Sequence, residues 1–391
     1  MIRAVRYPFM VVAVGVVTIL AAAAFVFAGS GNTSGARAAT GDWTSVTVRA
    51  QDQTVKLWMW GGDDVLNRYV DNEVTPRAAA LGVRLQRVPI DDTATALARV
   101  TAERDAGRTT GGAVDMLWVN GKNFAQGKAS GLWLTDWADR IPNTRFFAED
   151  DPTVHTDFGV STDGQELAWS RASFVFASDT AKVSDPPKDF DALARWVRIH
   201  PGRFTYPAPP DFTGSAFVRQ AVQALGEGEA FAYLTALAPN LWQHGEQYPK
   251  DEPELDRLFA DGQIDVSMSY NPNFVDTGVA KGAYSPTVRP YVFTSGTLQN
   301  VSFIAIPSNA SSPDGAQVVA NLMLSPELQA IKLAKVGVPT VLDIDRIGTD
   351  GAAFTANPSP YRLDRYGTPL QELPADRVPI LDRRWRDEVL R

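Results

Sequence analysis

Cysteine is absent from all 391 residues. Its absence excludes disulfides, thiolate metal sites, a cysteine nucleophile and the lipidated cysteine of a lipoprotein. Histidine is almost as scarce: there are three, His155, His200 and His244, and no two stand at a spacing that would pair them on a metal. The chain also lacks a P-loop, a G-x-G-x-x-G fingerprint and a G-x-S-x-G elbow, so neither a nucleotide cofactor nor a serine hydrolase of that kind is indicated. No cofactor and no metal are expected. Basic runs are missing too, and the net charge is −8, which argues against nucleic acid as a partner.

One long hydrophobic run is present, at the start. Arg3 and Arg6 precede the uncharged stretch Pro8 to Ala28, and Ala36-Arg37-Ala38 follows as an A-x-A-like cleavage site. Residues 1–38 therefore read as a signal peptide or an N-terminal membrane anchor, the run being long enough for either. Both readings place the body outside the cytoplasm, and cleavage would leave a chain beginning near Ala39.

The length suggests two domains. From Thr54 the chain alternates strands and helices. TVKLWMW (54–60) is a β-rich run ended by Gly61-Gly62; helical spacing follows over 65–80, a strand over 83–88, a helix over 93–105 and a strand over 114–119, broken at Asn120-Gly121. This β-α-β-α-β order predicts a parallel sheet covered by helices. Ligands in such sheets bind beyond the carboxyl ends of the strands. The middle repeats the theme, with extended runs over 166–177, a helix over 190–199, a short strand over 203–206 and a strand over 264–270.

Between those strands lies PAPPDFTGSAFVRQ (207–220). The prolines fix an extended approach, Gly214 permits a tight turn, and Ser215 is expected to cap a helix that Gly226 ends. The first-turn N–H groups of that helix would then face a ligand. Ser312-Pro313 and Ser325-Pro326 are expected to open two further helices in the same way, with Gly337 ending the second. The acidic pairs Asp63-Asp64 and Asp91-Asp92 could serve a glycosidase-like site, but adjacent carboxylates cannot flank a bond and fit helix starts better.

Three runs carry a resemblance to a known family. VDMLWVNGKNFAQGKASGLW (114–133), LDRLFADGQIDVSMSYNPN (255–273) and LMLSPELQAIKLAKVGVPT (322–340) resemble hallmarks of the extracellular solute-binding proteins of ABC transporters, family 1. With PAPPDFTGSAFVRQ, they resemble its YnjB-type subgroup. The resemblance implies an α/β fold of the type II periplasmic-binding kind, two lobes joined by crossover strands near 169–176 and 300–306. Lobe 1 would take residues 51–167 plus 301–344 and lobe 2 residues 177–300, leaving 345–391 unassigned. It further implies a monomer that captures a small-molecule ligand and hands it to ABC permease subunits, and so no catalysis.

In that architecture the ligand-binding candidates sit where strands end at the cleft: Trp60 and Gly61, Asn120 and Gly121, Trp169, Phe212 to Ser215 (Thr213 and Gly214 between them), and Tyr270 with Asn271. Aromatic faces and neutral amides suit a small-molecule pocket. Trp60 and Trp169 are expected to supply stacking surface. Relatives linked to thiamine suggest a cationic heterocycle near Asp63, Asp64 or Asp211; an oxyanion or a sugar stays open, and Asn271 after Tyr270 disfavours a paired-tyrosine iron site. A secreted or anchored hydrolase with carboxylates in the cleft is the alternative of a different class.

Overall fold

The computed structural model describes residues 42–351, 354 and 368–390. The leading apolar run lies outside the described residues. Among those residues no helix is long and apolar enough to cross a membrane.

Eleven strands are described: β1 (Thr54–Trp60), β2 (Arg84–Ile90), β3 (Met116–Val119), β4 (Thr156–Asp157), β5 (Val160–Ser161), β6 (Glu166–Ser173), β7 (Val175–Asp179), β8 (Val266–Ser269), β9 (Val288–Tyr291), β10 (Thr297–Ala305) and β11 (Pro369–Gln371). The larger sheet runs β11-β10-β3-β1-β2, with β6 on the other edge of β10. Its β2-β1-β3 portion is parallel, as the alternating pattern predicts, whereas β10 runs antiparallel to both β3 and β6. A second sheet, β8-β7-β9, is antiparallel throughout.

Val55, Leu57 and Met59 are buried while their neighbours in β1 are partly exposed. The alternation follows from the two-residue period of a strand. The buried set joins a first core with Met116, Phe303, Val319 and Leu328; the other face packs on Leu97, Val100, Phe124 and Trp133. A separate core gathers Phe174, Phe176, Phe190, Phe204, Phe217, Phe231 and Phe293 beneath β7. The chain crosses between these cores on β6 into β7 and back on β10, whose Leu298 belongs to the second core and Phe303 to the first. Residues beyond 344 divide: Ile347 and Phe354 pack on the first core, whereas Leu381, Trp385 and Val389 pack on the second.

Helix starts follow the carboxylates. Asp63, Asp92, Asp189, Asp211 and Asp251 each accept from first-turn N–H groups, satisfying donors the helix leaves free. The helices Thr93–Asp105 and Phe190–Ile199 coincide with the expected spans. The helix expected over 65–80 runs from Asp64 to Ala80 through one wide turn at Val70–Val74. Ser325 caps the helix Pro326–Val336, and Gly337 ends it in the left-handed region.

Two local expectations are corrected. The stretch 203–206 makes one isolated bridge, Phe204 to Val266, in place of a strand; Pro207 has no N–H with which to extend a ladder. Ser312 precedes the helix Pro313–Met323 without capping it, because its hydroxyl donates to the Thr54 carbonyl at 2.8 Å.

Candidate functional site

The first lobe offers the loops after β1 and β3. Trp60 ends β1, and its ring lies over Gly62, where a Cβ would stand 2.1 Å from Trp60 Cζ2. The Gly61 N–H donates to the Ile90 carbonyl at 3.0 Å, and its carbonyl accepts from Asn67 Nδ2 at 2.8 Å. These bonds anchor the turn ahead of Asp63. Asp63 uses Oδ1 to cap Val65 and Leu66 and Oδ2 to accept from Asn271 Nδ2 at 3.2 Å.

After β3, Asn120 is partly exposed and Gly121 is buried with φ +61°. Glycine is required there both by that φ and by the Phe158 ring, 3.3 Å from where a Cβ would stand. The Gly121 N–H donates to Asp157 Oδ2 at 2.5 Å. The Asp157 carboxyl is pushed well above the usual range by burial, with the Gly121 N–H opposing and Glu372 adding to the rise. This donor is thus occupied by the chain's own acid.

In the second lobe the helix Phe212–Leu225 begins four residues before the expected start, and its cap is Asp211: Oδ1 accepts from the Gly214 N–H at 2.9 Å. Ser215, expected to cap, lies inside the helix. Its hydroxyl donates to Asp382 Oδ1 at 2.6 Å and accepts from Arg219 at 2.8 Å. The reason is local, since an aspartate directly after the prolines caps the helix four positions earlier and leaves Ser215 in its second turn. Gly214 is needed for close packing: a Cβ would stand 1.9 Å from the Pro207 carbonyl oxygen.

Thr213 and Ser269 donate to the two oxygens of one buried carboxylate, Glu252, and Ser269 also accepts from the Asn271 N–H at 2.8 Å. One acid therefore ties the 212–215 turn to the 270–271 loop. Burial pushes Glu252 and its helix neighbour Asp256 upward, Asp63 adding to the rise at Asp256. Asp211 is raised to about 6, again by burial, against the N–H bonds of Gly214 and Thr213.

Phe212 is 40% exposed, and its ring meets Tyr270 at 5.2 Å and Phe158 at 6.5 Å. Beneath them Arg219, buried, is gripped by Glu372 at 2.6 and 2.9 Å and stands 5.4 Å from the Phe158 ring centroid. The Tyr270 hydroxyl donates to the same Glu372 at 2.5 Å. The structure thus gathers Phe212, Thr213, Tyr270 and Asn271 of the second lobe around one acid-lined floor and brings Asp63 of the first against them. It does not bring Trp60 and Trp169 together: Trp169 is buried in the first core, edge-on to Trp118 at 5.6 Å and with the Lys332 ammonium 4.7 Å from its centroid.

Asp157, Phe158, Arg219, Glu252, Glu372 and Asp382 were not singled out from the sequence. Arg219 carried a signal, a cation inside the apolar stripe Phe217, Val218, Ala221. Glu372 and Asp382 carried none, being more than 150 positions from their partners Arg219 and Ser215. Among the described residues no group of three acids or histidines could hold a metal. Ser215, Arg219, Glu372 and Asp382 are tied to one another in one network.

Two α/β lobes joined by crossing strands, with loops from both meeting at one floor, define a type II periplasmic-binding fold. The chain belongs to the bacterial extracellular solute-binding proteins, whose family model matches residues 72–344, and this family is extracytoplasmic. It is 36% identical over 326 residues to Protein YnjB of Escherichia coli (strain K12), covering 78% of this chain and 84% of that one. Among solved structures it resembles the periplasmic binding protein AfuA from Actinobacillus pleuropneumoniae with fructose-6-phosphate bound (TM-score 0.64, 18% identity, covering 87% of this chain and 99% of that one). It also resembles a periplasmic thiamin binding protein (TM-score 0.62, 16% identity, covering 86% and 96%). At these identities the structures share the fold alone.

Proposed function

We propose that the chain is the extracytoplasmic solute-binding component of an ABC importer, that it captures a small cationic nutrient, thiamine or a related heterocycle, and that it delivers this molecule to a membrane permease without altering it. Residues 1–38 export or anchor it, and the two lobes act as separate bodies that close on the ligand as a monomer.

The observation that supports a cationic ligand is how the site's own charges are spent. The features that would attract an anion are each matched by an aspartate or glutamate of this chain: Asp63 and Asp211 at two helix starts, Asp157 on the Gly121 N–H, Glu372 on Arg219 and Asp382 on Lys122. What is left over is acid. Asp256 Oδ1 is buried without a hydrogen-bond partner; burial, and after it repulsion from the Asp63 carboxylate, holds the Asp256 carboxyl above its ordinary range against a hydrogen bond with Tyr284. A cation entering between Asp63, Asp256 and the Phe212 and Tyr270 rings would relieve that repulsion and gain ring contact.

The test is calorimetric titration of refolded protein with thiamine, fructose 6-phosphate and inorganic sulfate. Saturable one-to-one binding of thiamine with no heat from the two anions supports the reading. Binding of an anion but not of thiamine rejects it, and conversion of any of the three would point to the hydrolase.

A further inference from the structure

The C-terminal segment is built into the second lobe yet touches the first. Strand β11 pairs with the second-lobe end of β10, and the helix Arg377–Glu388 sinks Leu381 and Trp385 into the second core, where the Trp385 indole donates to the Tyr206 hydroxyl at 2.9 Å. Glu372 adds the paired bonds to Arg219, and Glu227 receives Arg377 and Arg384. With these anchors the segment moves as part of that lobe. Its other side reaches across. The Ala375 N–H donates to the Phe158 carbonyl at 2.9 Å, Phe158 clusters with Ala375 and Val378, and the Lys122 ammonium reaches Asp382 Oδ2 at 3.1 Å.

Asp382 stands at the junction. One oxygen takes Lys122 from the helix that starts after Gly121; the other takes Ser215 from the helix behind Phe212. It is nearly enclosed, with 9% of its side chain exposed against 33% for Lys122. When Lys122 withdraws, this carboxylate loses its salt-bridge partner and keeps only Arg219, which reaches it through the Ser215 hydroxyl, while staying largely desolvated, a costly state. Opening is therefore opposed even with no ligand in the cleft.

We infer that Asp382 is a positioning residue for lobe closure: with Ala375 and Val378 it forms a clasp that holds the first lobe, through Lys122 and Phe158, against the second before any ligand arrives. The proposal rests on the lobes being mobile and does not depend on what the ligand is. The clasp raises the closed fraction of the empty protein, so that less binding free energy is spent on closure.

The chain's lack of cysteine allows a direct test. Val48→Cys and Ile199→Cys place spin labels at positions 67% and 73% exposed, one on each lobe, and pulsed dipolar spectroscopy reads the distance between them in ligand-free full-length protein. Asp382→Asn keeps shape and the Ser215 bond but removes the charge that Lys122 seeks; Lys122→Met removes the other partner at a partly exposed position and leaves the second core untouched. The expected result is a compact distance population in the parent and a shifted second population in both variants, with the closed-to-open ratio falling roughly fivefold. Superimposable distributions in parent and variants, with melting curves showing all three folded, would overturn the clasp, as would a parent already distributed like the variants. A failure of thiamine to bind would leave this readout unaffected.

Discussion

Asn271 donates through Nδ2 to Asp63 Oδ2 at 3.2 Å, and the two residues belong to different lobes. Asp63 follows β1 and caps its own helix; Asn271 follows β8 and is held by Ser269. The bond joins the loop after β1 to the loop after β8. A second crossing bond lies beside it, from Asn273 Nδ2 to the Val336 carbonyl at 2.5 Å. Asn271→Leu removes the crossing donor from a partly exposed position. It should leave melting within about 0.5 kcal/mol of the parent and weaken ligand binding by about tenfold, the worth of one bond to a charged group. Unchanged affinity would mean that the contact contributes nothing to closure.

Gly214 is expected to act on the fold before it acts on the ligand. A side chain there collides with the Pro207 carbonyl, a backbone atom with little freedom to move. Gly214→Val should cost about 3 kcal/mol or more in chemical denaturation, at or above the upper end of ordinary overpacking. A fully stable variant that merely binds poorly would place the glycine at the ligand.

Asp211 gives a pH signature. Its carboxyl is raised from 3.8 in the unfolded chain to about 6 in the folded one, so the native state binds the proton more tightly. Its contribution to stability is full below about pH 4 and is lost as pH rises through about 6. Asparagine caps helices as well as aspartate does. Asp211→Asn should therefore keep the helix and flatten the fall in unfolding free energy between pH 4 and 6, measured by urea titration across that range. An identical pH profile in both proteins would show that Asp211 is not the group responsible.

Ligand affinity should carry the opposite trend. Asp256 and Glu252 hold protons above the ordinary carboxylate range first because they are buried, and then because the Asp256 charge opposes ionisation of Glu252 and the Asp63 charge opposes ionisation of Asp256. A cation favours their ionised forms, so its binding should release protons and tighten as pH rises from about 5.5 to 8. Calorimetry in buffers of different ionisation enthalpy measures that release. Proton uptake, or affinity that weakens over this range, would contradict a cationic ligand.

The two candidate tryptophans should separate. Trp169 is packed between Trp118 and Lys332 in the first core, and Trp169→Leu should lower stability by about 2 to 4 kcal/mol. Trp60 is partly exposed at the end of β1, and Trp60→Leu should change stability far less. Equal losses in thermal melts of the two variants would show Trp60 to be as much a core residue as Trp169.

What the sequence made legible was whatever depends on neighbours along the chain. The helices Thr93–Asp105 and Phe190–Ile199 were readable because an aspartate opens each and an apolar period fills it. The loops Gly61, Gly121 and Tyr270-Asn271 were readable because strands stop there. The start of the helix at Phe212 lies four residues before the Ser215 expected to cap it, because Asp211 already follows the prolines and caps there. Trp169 drew attention as an aromatic near the crossover, although its surroundings are set by Lys332, 163 positions away. The partners of Arg219 and Ser215 were invisible for the same reason: Glu372 and Asp382 meet them only through the packing of the C-terminal helix onto the second core. Long-range pairing of single charges leaves no periodic trace.

If this fold holds a small cation reversibly and does nothing else to it, that molecule can be recovered from the protein unchanged. The most direct measurement is to incubate refolded protein with nutrient extract, record its native mass spectrum, denature it and identify what is released. The expected result is one small molecule per chain, positively charged at neutral pH and identical to the form supplied. Recovery of a phosphorylated or otherwise anionic ligand, or of a cleaved product in its place, would contradict it.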